Sequence, residues 1–216
     1  MTKLVVLIGS YARGDFNQYS DCDIFRVGCE NTDLDYSMLP ITDQSIVSCI
    51  DYDNETFAKL YNAGSLFLYH VLHEGILISG DIEIWQGLQD GFSVQRSFSK
   101  ELEEISLITE FLSNIEMFGG KFLTPLVNAF TELKNASVFY LAHQGIYTFE
   151  KTQCLRLALS NSTMLPELLS LKKFYDYSVR GQDVDLPFDP NSHDKCREVL
   201  LEVHKLTLGM RNACNG

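Results

Sequence analysis

The chain is short of basic charge and has no long apolar run. It carries 17 Lys and Arg against 29 Asp and Glu, a formal net charge of −12. Such a field repels phosphate backbones and argues against broad, non-specific binding to DNA or RNA. The early apolar run LVVLI follows a single Lys3 and falls short of the roughly 7–15 residues of a signal h-region. No later run reaches the roughly 20 residues of a bilayer span. The chain is therefore expected to be cytoplasmic, with no membrane partner. Its six cysteines (Cys22, Cys29, Cys49, Cys154, Cys196 and Cys214) include no C-x-x-C spacing, which removes the usual zinc and dithiol-redox frameworks and leaves reduced thiols. Internal repeats and low-complexity tracts are also missing.

The 216 residues, 45% of them apolar, are enough for one large domain or two small ones. Patterning favours two. The first hundred residues mix strand and helix signals: Leu4–Ile8 and Cys22–Val27 as short buried strands, a third strand from Ser45 to Tyr52, and a return to extended structure at Ile76–Ile78. Between these, Asp53 or Asn54 is placed to cap a helix through Phe57, Leu60 and Tyr61, and SLFLYHVLHEG forms another ending at Gly75. The polar, glycine-broken stretch from Gly87 to Lys100 reads as a linker. Beyond it, Leu102, Ile105, Ile108, Leu112, Ile115 and Phe118 recur at helical spacing, and 123–149 repeats the pattern. Further helices are expected at 166–177 and 192–210, around the turn-rich RGQDVDLPFDPN.

One stretch concentrates chemistry: GSYARGDFNQYSDCDIF, from Gly9 to Phe25. On a strand, residues two apart point the same way, so Asp21 and Asp23 project together while Cys22 and Ile24 face the core. Two ionised carboxylates held close repel unless they share a cation or strong donors. Mg²⁺ suits them, since it takes carboxylate oxygens and completes its shell with water and phosphate oxygens. Gly9 permits close backbone approach to a phosphate, the Ser10 hydroxyl and the amides after it can donate to triphosphate oxygens, and Arg13 adds a fixed positive charge. These parts describe a site for a metal-bound nucleoside triphosphate.

The same residues resemble the signature of the polymerase-beta-like nucleotidyltransferases, and closely their minimal form, in which G-S-x-A-R-G precedes S-D-x-D. Gly9, Ser10, Ala12, Arg13, Gly14, Ser20, Asp21 and Asp23 all match. The resemblance implies a small mixed sheet with helices over residues 1–95; with the helical patterning beyond it, the chain reads as an α+β fold, that domain followed by an all-α helical bundle over 100–216. The resemblance also implies Asp21 and Asp23 as catalytic metal ligands for two Mg²⁺ ions, and Gly9, Ser10, Arg13 and Ser20 as the grip on ATP or another nucleoside triphosphate. The activity it implies is transfer of a nucleoside monophosphate to a macromolecular acceptor, a protein partner in a bacterial toxin–antitoxin or defence setting. Two other readings stand beside it, a small-molecule adenylyltransferase of the aminoglycoside-modifying type and a catalytically impaired nucleotide-binding regulatory module. The family's third catalytic carboxylate comes from the next strand. Here QSIVSCIDYD has Ser45 and Ser48 in the middle, so Asp51 at the strand's end is preferred, with Asp53 and Asp43 as alternatives. The family's helix before the first strand has no counterpart, which leaves a sheet face for the bundle or a second subunit to cover and makes a homo-oligomer an option.

Weaker signals lie outside this stretch. His70 and Glu74 are four apart on a helix, with His73 between them, and are read as a polar rim able to orient Arg13 or a nucleotide rather than as a metal site, which would need a third ligand. A helical domain after a minimal nucleotidyltransferase resembles the HEPN group, whose ribonucleases carry an Arg and a His; Arg197 and His204 in REVLLEVH are the corresponding pair, and read equally well as parts of an ordinary core helix. Tyr11, beside Ser10, is expected to show an exposed ring near the nucleotide.

Overall fold

The computed structural model describes residues 2–30 and 34–215. The chain divides into two compact units, residues 1–95 and 96–216.

The first unit is built on four strands: β1 (Leu4–Ile8), β2 (Cys22–Val27), β3 (Val47–Tyr52) and β4 (Ile76–Gly80). They lie in the order β3-β2-β1-β4. β1 is antiparallel to both β2 and β4, while β2 and β3 run parallel. β1 is buried at every position and β2 at all but Asp23, so neither shows the alternation of a half-exposed strand. One face carries Leu4, Val6, Ile8, Phe25 and Val27 and packs against Phe57, Leu68, Val71, Leu72 and Trp85. Those residues come from α2 (Asn54–Asn62), α3 (Leu66–Glu74) and α4 (Ile82–Gly91). The opposite face, with Val5, Leu7, Cys22 and Ile24, is covered from within the same unit by Leu34, Leu39, Ile41 and Ile46. The expected uncovered face is thus closed by the β2–β3 crossover, whose short 3₁₀ turns are capped by Asp35 and Asp43.

The strands and the first helices follow their sequence signals closely, and Asp53 caps α2 by accepting from the Thr56 amide at 2.7 Å. The stretch expected to be a linker begins instead inside α4, where Asp81 accepts from the amides of Glu83 and Ile84. Trp85 anchors that helix in the core, a tertiary contact that outweighs the helix cost of Gly87.

The second unit is all helical: α5 (Ser99–Ser113), α6 (Leu123–His143), α7 (Lys151–Ala158), α8 (Leu165–Ser170), α9 (Lys172–Arg180) and α10 (His193–Asn215). Its core is a single cluster around Leu102, Phe130, Leu133, Leu155, Phe174, Val199 and Val203. The mixed sheet followed by helices is the α+β architecture anticipated. One detail differs. Ile108 points out, 43% exposed, while Thr109 and Thr207 are fully buried. Their hydroxyls meet at 2.7 Å where α5 packs on α10, so a hydrogen-bonded polar pair takes a place that hydrophobic spacing assigns to an aliphatic residue.

Candidate functional site

The antiparallel register sets Ile8 opposite Asp23, which brings the end of β1 beside the second acid of the D-x-D. The chain then turns sharply into a five-residue helix, α1 (Gly9–Arg13), closed by Gly14, whose amide returns to the Ser10 carbonyl. Gly9 has φ +70°, and a Cβ built on it would lie 2.9 Å from Asp23 Oδ2. The missing side chain thus makes the room that the carboxylate occupies, and an L-residue here would meet both backbone strain and a clash. Asp23 and the Gly-Ser turn are in this way brought into direct contact. Asp21 is exposed and precedes the first residue of β2, and Ser20 accepts from the Asn17 amide at 3.0 Å, closing the turn that leads to it. Burial, reinforced by the Asp23 charge, pushes the intervening Cys22 thiol up to about 11, so it is no nucleophile near neutral pH.

Arg13 stands at the end of α1 with its guanidinium between two acids. It donates to Asp15 at 3.3 Å and to Glu74 Oε2 at 3.5 Å. The same Glu74 oxygen is 3.0 Å from His70 Nδ1. Burial works against ionisation of Glu74, but the His70 hydrogen bond and the Arg13 charge outweigh it and hold the carboxyl below its usual value. Glu74 thus meets Arg13 directly, while His70 reaches only the same Glu74 oxygen.

The three candidates for a further acid lie elsewhere. The parallel register pairs Asp23 with Ser48 and Arg26 with Asp51. Aligned residues of parallel strands share a face, and positions 23 and 26 differ by an odd number, so Asp51 belongs to the opposite face from Asp23. There it grips the nearly buried Arg26, accepting at 2.5 Å from Nε and 2.7 Å from Nη2. The Arg26 hydrogen bonds hold the Asp51 carboxyl below its ordinary value. Asp53 and Asp43 are occupied as caps, Asp43 accepting from the Ser45 amide at 2.8 Å. Ser48, not an acid, stands beside Asp23. The lone Arg inside the apolar strand CDIFRV was the available sign that β2 would demand a carboxylate partner on its far side.

Phe16 is the residue that went unread in the sequence, and Tyr11 is half-buried rather than exposed. The Tyr11 and Phe16 rings are stacked, centroids 4.2 Å apart and 7° from parallel. In the second unit, His204 Nδ1 is 3.4 Å from Thr109 Oγ1, and Arg197 is exposed two turns earlier on α10.

Residues 2–65 match the family model described as "Nucleotidyltransferase domain". The matched region runs from β1 to just past α2 and includes the Gly-Ser turn, both acids of the D-x-D and β3, and it supports a polymerase-beta-like nucleotidyltransferase. Among curated proteins, none matches the chain.

Proposed function

We propose, on the premise of a nucleotidyltransferase domain at residues 2–65, that the chain binds a nucleoside triphosphate, ATP by preference, and transfers its nucleoside monophosphate to a protein partner in a bacterial toxin–antitoxin or defence setting. The observation that carries this reading is the seat of Asp23 against Gly9. It brings a carboxylate to the turn whose Ser10 hydroxyl and following amides would hold triphosphate oxygens. Arg13 completes that grip, steadied by Glu74 and His70. The helical unit, which has a closed core of its own, is assigned the HEPN-like, partner-binding role.

The donor set fits one Mg²⁺ arriving with the triphosphate, with Asp21 and Asp23 as protein ligands and water and phosphate oxygens as the rest. When bound, the ion offsets the charge that develops on the transferred phosphoryl group. In the reaction the acceptor's hydroxyl oxygen bonds to the α-phosphorus, the bond to the bridging oxygen breaks, and pyrophosphate leaves with the electron pair. Asp21 and Asp23 would hold the ion, and Ser10 and Arg13 would hold the pyrophosphate leaving group.

The hydroxyl proton needs a base, and a second ion needs a further acid. The placement of Asp51 on the far face with Arg26, and of Ser48 beside Asp23, favours a second reading: a nucleotide-binding module of reduced turnover that regulates its partner. The two readings separate in one experiment. Purified protein is incubated with α-phosphate-labelled ATP, Mg²⁺ and cell lysate, with the Asp21→Asn, Asp23→Asn variant alongside. Label on a protein with the wild type alone supports transfer, and label that persists with the variant removes the site assignment. Nucleotide binding without label or pyrophosphate supports the regulator. In that case Ser48→Asp, which adds an acid on the face of Asp23, is expected to raise turnover.

A further inference from the structure

We infer that Phe16, backed by Tyr11, is the platform on which the nucleobase of the bound triphosphate stacks. The inference rests on the nucleotide reading above and extends it from the phosphate end of the ligand to the base. Tyr11 lies two residues beyond Gly9 on α1 and packs against the buried face of Val5, Leu7 and Ile24, so its ring is anchored. Phe16 lies flat on it, nearly parallel at 4.2 Å. One face of Phe16 is thereby taken, yet the residue stays 48% exposed.

The pair is tied to α1, the helix that opens at the Gly-Ser turn. The Asp15 amide donates to the Ser10 carbonyl at 3.1 Å, so Phe16 follows directly on a group bonded to the residue that would grip the triphosphate. Around it the loop is polar, with Asp15, Asn17, Gln18 and Asp21 all exposed. Tyr19, 44% exposed, is the other exposed aromatic of the loop, and two rings in such surroundings are still too small a patch to dock a protein. A flat, one-ring-wide surface does suit a base, whose π-face stacks on an aromatic side chain whatever its hydrogen-bonding edge. The arrangement therefore points to a ligand read by stacking, with weak discrimination among bases and preference for the larger purine face.

The test uses the full chain and two probes, Mg-ATP and Mg-tripolyphosphate, titrated calorimetrically into wild type, Phe16→Ala and Phe16→Trp, with thermal melts to show that all three fold. Phe16→Ala is expected to weaken ATP by about 5- to 100-fold, the range of a lost base–aromatic stack, and to leave tripolyphosphate within about twofold. Phe16→Trp is expected to keep ATP affinity, and its indole fluorescence to be quenched by ATP but not by tripolyphosphate. Equal weakening of both probes by Phe16→Ala, or no change in either, overturns the stacking role while leaving the phosphate site standing. Failure of wild type to bind either probe overturns the nucleotide reading itself, and the inference with it.

Discussion

At the scale of single residues, Gly9 and Asp23 set the geometry of the site. Because Gly9 sits at φ +70° with its missing Cβ 2.9 Å from Asp23 Oδ2, Gly9→Ala is expected to cost about 1–2 kcal/mol of stability. It should also displace the carboxylate and reduce Mg-ATP affinity at least tenfold. A thermal melt and a titration on the same sample check both. Asp51→Asn is expected to cost stability without costing affinity. It loosens the charged clasp on buried Arg26, costing about 1–3 kcal/mol, while Mg-ATP affinity stays within about threefold; a large loss of affinity would return Asp51 to the site. Since Arg26 holds the Asp51 carboxyl below its ordinary 3.8, the pair's contribution is full above that value and is lost as pH falls below it. Wild type should therefore lose stability more steeply than Asp51→Asn below about pH 4 in acid-denaturation curves. The composite G-S-x-A-R-G and S-D-x-D could be read as a site because its spacing is local. Which face Asp51 takes could not, because it depends on the register of β3 against β2, a long-range pairing; Arg26 signals that a carboxylate is needed but not which one supplies it.

At the scale of elements, the same division holds. β1 and β2 were readable as short aliphatic runs, and α2 from the Asp53 cap. α4 was not, since Gly87 and Gly91 imitate a linker, which the Asp81 cap and the burial of Trp85 together override. The α5–α10 contact was misjudged at Ile108 because periodicity counts apolar side chains and cannot anticipate two threonines satisfying each other across an interface. That contact yields a double-mutant prediction. Thr109→Val and Thr207→Val should each destabilise the helical unit by about 1 kcal/mol. The double variant should lose less than the sum, by about 0.5–1 kcal/mol in chemical denaturation, because neither hydroxyl is then left without its partner. Strict additivity would show that the 2.7 Å contact contributes nothing.

At the scale of the whole molecule, the chain joins a unit with clusters on both sheet faces to a helical unit with a core of its own. The change of pattern near residue 95 was visible as a switch from mixed to purely helical periodicity, and the family match ends well before it. The acidic balance of the chain makes any phosphate ligand dependent on local compensation, which Mg²⁺, Arg13 and backbone amides would together supply. The central claim is that Asp21 and Asp23 hold a metal–triphosphate against the Gly-Ser turn. Calorimetric titration of Mg-ATP into wild type and the folded Asp21→Asn, Asp23→Asn variant tests it most directly. Wild type should bind saturably and only with Mg²⁺, and its affinity should fall by at least about 100-fold in the variant. Equal affinity in the two proteins, or binding that ignores Mg²⁺, would contradict the claim.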